Sequence, residues 1–184
     1  MKFIPQSIPD VLLIEPIVHR DKRGYFVETF RQDMLDQALG YKINFIQDNE
    51  SESISKGVLR GLHYQSPPYT QSKLVRVIKG RILDVAVDIR QDSPTFGKHA
   101  TVELSGENKK QLFLPQGFAH GFVVLSEGAI FAYKVDAYFS AHHDEGIAYN
   151  DKDIDVDWLL PEAEIILSEA DRNNLNLAEK KNLL

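Results

Sequence analysis

The chain has 184 residues, 43% of them hydrophobic, which suits one globular domain spanning residues 1–184. Its formal net charge of −6 excludes nucleic acid and anionic membranes as expected partners, because both are held by excess basic surface. Cysteine is absent, which excludes a disulfide framework and a thiolate metal site. The opening stretch, MKFIPQSIPD, has two prolines and no apolar run of signal length. Nowhere does the chain reach the roughly 20 apolar residues of a membrane span. The expectation is a soluble, unprocessed, cytoplasmic protein.

Short alternating apolar stretches recur through residues 10–140, separated by Gly, Pro, Ser and Asn clusters. This pattern predicts many strands in a sandwich or barrel, with few helices. The first helix is expected over Arg31–Leu39, where Met34, Leu35, Ala38 and Leu39 form one apolar face. On either side of it lie polar lanes: Glu28 between Phe26 and Phe30, and then Gln47, Asn49, Ser51 and Ser53 in alternation. Such lanes either line a shared cavity or face water.

Further on, Lys73–Arg90 reads KLVRVIKGRILDVAVDIR and predicts a hairpin turning at Lys79-Gly80. Period-two alternation then puts Gln71, Lys73, Val75, Val77, Ile82, Asp84, Ala86 and Asp88 on one face. Lys73 and Asp84 become diagonal neighbours there; the alternative is a solvated face with an incidental ion pair. Beyond Pro161, Ser168 followed by Asp171 has the form of a capping box and predicts a second helix.

Six histidines are present: His19, His63, His99, His120, His142 and His143. A metal-binding cupin is expected to carry a His-x-His pair with a following Glu, and RGLHYQ around His63 lacks the second histidine. His120 in LPQGFAHGF keeps the third-ligand spacing, Pro-x-Gly-x-x-His. One matching half does not predict a metal site. His142-His143 belongs to a polar loop. A histidine without ligand partners is free to act as a base, since its ordinary pKa of about 6.5 lies near working pH. On a regular strand Arg60 and His63 would point to opposite faces. If both serve one site, Gly61 must permit a bulge between them.

The stretches RGYFVETF, QDN, VLRGLHYQ, KLVRV, DVAVDIR, SPTFG, LPQGFAHGFVVLSE, YK followed by Tyr138, EGIAYND and LSEAD resemble, in order, the dTDP-4-dehydrorhamnose 3,5-epimerase family. The resemblance covers about residues 8–172. It implies a cupin-type jelly roll, a homodimer, no metal and no cofactor. By the same resemblance the substrate is a dTDP-4-keto-6-deoxyhexose inverted at C3 and C5, with no redox coenzyme needed. Carried over residue by residue, His63 matches the base, Tyr133 the acid on the other sugar face, and Asp171 the carboxylate that orients the histidine.

Lys73 and Arg60 resemble residues around the ketone and the diphosphate, and Arg23 a diphosphate ligand reaching in from a partner subunit. Glu28, Gln47, Asn49, His120 and Glu145 match other ligand contacts, Phe26 and Tyr138 the aromatics that hold the nucleobase, and Asp84 an acid lining the site beside Lys73. One departure stands out. The family commonly has lysine before the aspartate of LSxKD, and here Ala170 occupies that place, with Arg172 as a conceivable substitute. Related readings are a single-centre epimerase, a ketoisomerase, and a non-catalytic nucleotide-sugar binding module.

Overall fold

The computed structural model describes residues 1–180 and Leu183. In chain order the elements are β1 (Lys2–Pro5), β2 (Leu12–Glu15), β3 (Val18–Asp21), β4 (Gly24–Val27), α1 (Gln32–Leu39), β5 (Gln47–Ser53) and β6 (Leu59–Gln65). There follow β7 (Lys73–Lys79), β8 (Arg81–Asp88), β9 (His99–Ser105), β10 (Gln111–Leu114), β11 (Phe118–Val124), β12 (Ala129–Val135), β13 (Asp144–Gly146) and α2 (Glu169–Arg172). One sheet runs in the order β1-β2-β10-β7-β12-β5, and a second in the order β13-β6-β11-β8-β9. They form the expected jelly-roll sandwich, and β3 and β4 pair only with each other as a separate ribbon.

Three apolar clusters hold these layers. Between the sheets lie Val75, Val77, Ile82, Ala86, Leu104, Leu112, Phe122 and Phe131. Outside the second sheet, Leu83, Val85, Val87 and Ile89 pack with Leu62, Tyr64 and Trp158. Outside the first, Leu74 and Phe113 pack with Leu12, Ile14 and Leu35, the one buried residue of α1. Full burial of each such side chain contributes about 1.5–3 kcal/mol, so covering both faces of a strand favours a layered fold. The helix begins within one residue of the position its apolar spacing predicts. It stops at Gly40, whose left-handed φ of 75° lets its N–H reach the Asp36 carbonyl.

Lys73–Arg90 is not a hairpin. β7 belongs to the first sheet and β8 to the second, and the chain crosses between them at Gly80. Gly80 has φ of 83°, and a Cβ there would sit 2.1 Å from the Gly128 carbonyl oxygen. β8 is buried on both faces from Ile82 to Asp88 and β7 buries Leu74 on one face and Val75 and Val77 on the other, and a sandwich covers such faces where a two-stranded ribbon leaves one face wet. The expected common face survives without the expected pairing: Val75, Val77, Ile82 and Ala86 all meet in the core between the sheets. Lys73 and Asp84 therefore approach from opposite sheets and are not diagonal neighbours in one.

At the far end of β8, Asp88 is wholly buried and accepts hydrogen bonds from Arg90 Nε (2.9 Å), Ser93 Oγ (2.6 Å) and Thr95 Oγ1 (2.6 Å). Burial works to raise its pKa, but these donors prevail and bring it from 3.8 down to about 2. A carboxylate with a depressed folded pKa adds stability that is complete above its unfolded value and is lost as pH falls through the folded one. Asp88→Asn is therefore expected to cost on the order of 2 kcal/mol at pH 7. Urea melts between pH 7 and pH 2 are expected to show the two proteins converging below about pH 4.

Candidate active site

The inner faces of the two sheets carry a set of polar side chains that the core cannot absorb. On β6, His63 lies opposite His120 of β11, and Arg60 lies opposite Phe122. Between those pairs β6 spends two residues, Gly61 and Leu62, against the single Gly121 of β11. This is the bulge that a common role for Arg60 and His63 requires. Gly61 has φ of 115°, and a Cβ there would meet Gly121 Cα and the His120 carbonyl oxygen, both at 2.6 Å. Only glycine fits such an approach.

Asp171 reaches His63 from α2. Its Oδ1 lies 2.5 Å from His63 Nε2, while Oδ2 accepts a 2.8 Å hydrogen bond from Ser168 Oγ. Ser168 Oγ in turn accepts the Asp171 backbone N–H at 3.0 Å, so the predicted helix cap forms. Capping and gripping the histidine are thus one arrangement. Burial raises the Asp171 pKa, but hydrogen bonds from His63, Ser168 and the Gly61 backbone outweigh it and hold the carboxyl below its usual range. An ionised Asp171 at Nε2 leaves Nδ1 as the nitrogen with a free lone pair.

A second aspartate–histidine pair lies alongside. Asp84 is 0% exposed, and both its oxygens contact His120 Nε2, at 3.0 and 2.9 Å. From the first sheet, Tyr133 on β12 sits beside Asn49 of β5 and Val75 of β7. The adjacent row holds Gln47, Val135 and Lys73. Gln47 donates to Asn49 Oδ1 (2.8 Å) and accepts the Phe139 N–H (3.2 Å), which ties the polar lane of β5 to the loop carrying Tyr138. Burial pushes the Tyr133 phenol up, assisted by Asp144 and opposed by Arg60. Burial also brings the Lys73 ammonium down to about 8, with Asp144 and Asp84 pulling the other way.

Not every expected residue enters this cavity. Glu145 does not. It pairs with Tyr64 and faces outward, accepting from the Tyr64 hydroxyl at 3.0 Å and from Lys180 at 3.4 Å. Alternation along β13 puts its exposed neighbour Asp144 on the same side of the sheet as His63, and the pKa of Asp144 is raised, desolvation outweighing the pull of His63 and Lys73. Asp144 is the acid the sequence reading missed; the signal was the odd-even register of β13 against β6. Arg23, Phe26 and Glu28 lie on or beside the outlying ribbon. The Arg23 side chain is 84% exposed beside Asp21, Phe26 is 70% exposed, and Glu28 neighbours Arg31 at 4.0 Å. Tyr138 is exposed at the mouth, where its carbonyl accepts from Gln65 at 3.4 Å. Arg172 lies within electrostatic reach of Tyr149, outside the second sheet. Among the described residues no group of three or more His, Asp or Glu side chains converges as metal ligands.

The family model for dTDP-4-dehydrorhamnose 3,5-epimerase matches residues 5–179. The chain belongs to that family. The Shigella flexneri dTDP-4-dehydrorhamnose 3,5-epimerase is 53% identical over 94% of each chain. A Legionella pneumophila dTDP-6-deoxy-D-glucose-3,5-epimerase, solved in complex with dTDP-4-keto-L-rhamnose, is 47% identical with a TM-score of 0.94, covering 98% of this chain and 94% of that one. A 3'-monoepimerase from Streptomyces bikiniensis, solved with dTDP-quinovose, is 32% identical with a TM-score of 0.87, covering 95% of this chain and 87% of that one. No helix among the described residues is long and apolar enough to cross a membrane.

The two faces of β13 make opposite predictions. Asp144→Asn removes an anion that supports the Lys73 ammonium, so the Lys73 pKa is expected to fall below about 8, whereas Glu145→Gln leaves it in place. Side-chain NMR titration of the lysines in both variants measures this; equal shifts would contradict the assignment of faces.

Proposed function

We propose that the protein converts dTDP-4-dehydro-6-deoxy-D-glucose into dTDP-4-dehydro-L-rhamnose, inverting C3 and C5 without a metal or redox coenzyme. The observation that supports the reading is that His63, on the second sheet, pairs with His120, whose ring stacks on Phe131 beside Tyr133 on the first sheet, and that Asp144 acts electrostatically on both His63 and Tyr133. A proton beside a ketone leaves only if the developing enolate is stabilised, and Lys73 is the cation for the C4 oxygen. His63 Nδ1 takes the proton from one face of the sugar, and the C–H electron pair becomes the enolate double bond. As the enolate collapses, the Tyr133 phenol delivers its proton to the same carbon from the other face. The net result is a proton on His63 and one missing from Tyr133, which exchange with solvent restores. Asp171 fixes the tautomer of His63 and stabilises its protonated form.

Asn49, paired with Tyr133, and Arg60, which acts electrostatically on Tyr133, are in this reading the protomer's own contacts for the remaining polar groups of the nucleotide sugar. Arg23, Phe26 and Glu28 serve the site of a second subunit in this reading. The β3–β4 ribbon that presents them pairs with no other strand, and a groove beside Phe30, Leu74, Arg76 and Lys134 is open on the outer face of the first sheet. A homodimer in which each ribbon reaches its partner's cavity accounts for both features. A nucleotide-activated substrate and a cysteine-free chain fit a cytoplasmic location.

The deciding experiment follows C3 and C5 protons by NMR in D₂O with the 4-keto sugar nucleotide. His63→Ala is expected to lose exchange at both centres by about 10²- to 10⁴-fold while still binding dTDP. Tyr133→Phe is expected to keep more exchange than inversion. Exchange at C3 alone in the parent protein would make it a single-centre epimerase like the S. bikiniensis relative. No exchange at all would make it a binding module. Separately, kcat is expected to fall as pH rises through about 8, where Lys73 loses its charge. In Lys73→Arg, with a guanidinium that stays charged, that alkaline limb is expected to disappear, and pH–rate profiles of the two proteins check it.

A further inference from the structure

The two proposed proton-transfer groups are held in different ways. His63 is gripped through Nε2 by a carboxylate that is itself capped, at 2.5 and 2.8 Å. The Tyr133 hydroxyl, by contrast, makes no hydrogen bond to any described residue, so no hydrogen bond among the described residues aims it. Packing must do so. Its aromatic neighbour is Phe131, two residues earlier on the same face of β12, with ring centroids 5.6 Å apart and planes at 39°. Phe131 is 3% exposed and is fixed on its other sides by two rings of the opposite sheet. The His120 imidazole stacks on it at 5.8 Å and 18°, and Phe122 at 4.5 Å and 28°. His120 is in turn clamped by both oxygens of the buried Asp84. A chain of contacts thus runs from a wholly buried carboxylate on β8, through an imidazole on β11, across the sandwich to Phe131, and on to the phenol of Tyr133. β7 carries one extra residue, Ile78, opposite the Ile130–Phe131 step, so the backbone irregularity of β12 falls where this ring enters the stack.

We infer that Phe131 is a positioning residue for the reaction: its flat face, stacked on His120, sets the approach of the Tyr133 phenol to the sugar carbon. The inference rests on the reading of Tyr133 as the acid and adds the group that aims it. A tyrosine ring has two side-chain torsions to fix, and a flat neighbour restricts both where a branched aliphatic of similar burial leaves them looser. Misplacing an acid by about 1 Å is enough to cost on the order of 10²-fold in the step it serves, while the step served by His63 is untouched.

The test compares Phe131→Leu with Phe122→Leu. Phe122 has the same 3% exposure and stacks on Phe131, but it makes no ring contact with Tyr133, so the two variants lose similar core packing. In D₂O, Phe131→Leu is expected to keep C3 and C5 exchange within about threefold of the parent while inversion per exchange event falls about tenfold or more. Phe122→Leu is expected to keep the parental ratio. Phe131→Met, close in volume but without a flat face, is the second variant should leucine not fold, with dTDP binding as the check on the site. A parental ratio in Phe131→Leu or Phe131→Met overturns the inference, and so does an equal fall in Phe122→Leu, which would mark general loosening. Tyr133→Phe in the same assay separates the two levels. If it loses inversion while Phe131→Leu does not, only the positioning role falls; if it inverts fully, the acid assignment itself has failed and the positioning role goes with it.

Discussion

Between Arg60 and His63 the backbone of β6 spends two residues where β11 spends one, and the glycines at 61 and 121 let the strands close over that irregularity. Without it, period-two alternation would put the guanidinium of Arg60 and the imidazole of His63 on opposite faces of the sheet. With it, both belong to the inner side, and the Gly61 N–H becomes available to the carboxylate of Asp171. The bulge therefore positions the proposed base, a neighbouring cation and the group that orients the base. A side chain at Gly61 would collide with the backbone of β11, so sequence at this point is dictated by backbone clearance more than by the chemistry it serves.

In the proposed reaction the jelly roll divides the work of an inversion between its two layers, one supplying His63 and the other Tyr133. The rigid frame behind them is the shared core of Val75, Val77, Ile82, Phe122 and Phe131. Electrostatics in this gap are closely balanced: Asp84, Asp144 and Asp171 stand against Lys73 and Arg60, in a chain whose overall charge is −6. Burial makes Lys73 easier to discharge while Asp144 and Asp84 resist it, and that contest leaves its pKa at about 8. The site can thus keep a cation near neutral pH with little margin.

Much of this was legible in the sequence, because the signals were local. Alternation announced the strands, the Met34–Leu39 spacing announced α1, Ser168 with Asp171 announced the cap of α2, and Gly61 announced the bulge. What failed were inferences that needed partners distant in sequence. Lys79-Gly80 has the form of a turn, but the chain only bends at Gly80, and whether the next strand folds back onto β7 or leaves for the other sheet depends on the outer clusters that cover each face. Asp144 and Glu145 are adjacent acids in a three-residue strand, and only their register against Tyr64 and Gln65 shows which one faces in. The ribbon residues Arg23, Phe26 and Glu28 are a different matter: under the proposed homodimer their place in a site is a property of the assembly, which no local pattern within one chain encodes.

The number of carbons inverted is a finer question than the fold can answer. The S. bikiniensis 3'-monoepimerase superposes on this chain with a TM-score of 0.87, so the sandwich is shared by proteins named for one centre and for two. C3 and C5 both adjoin the C4 ketone, and a cation at that oxygen stabilises the enolate formed in either direction. What differs between the two steps is which C–H bond lies under the base, and this changes when the sugar shifts, with the protein standing still. In the proposed reaction, control over the second inversion belongs to whatever limits that shift; around the segment from Tyr138 to Ser140 the structure shows Gln47 anchored to Asn49 and to the backbone of Phe139, and Gln65 holding the carbonyl of Tyr138 and the N–H of Ser140.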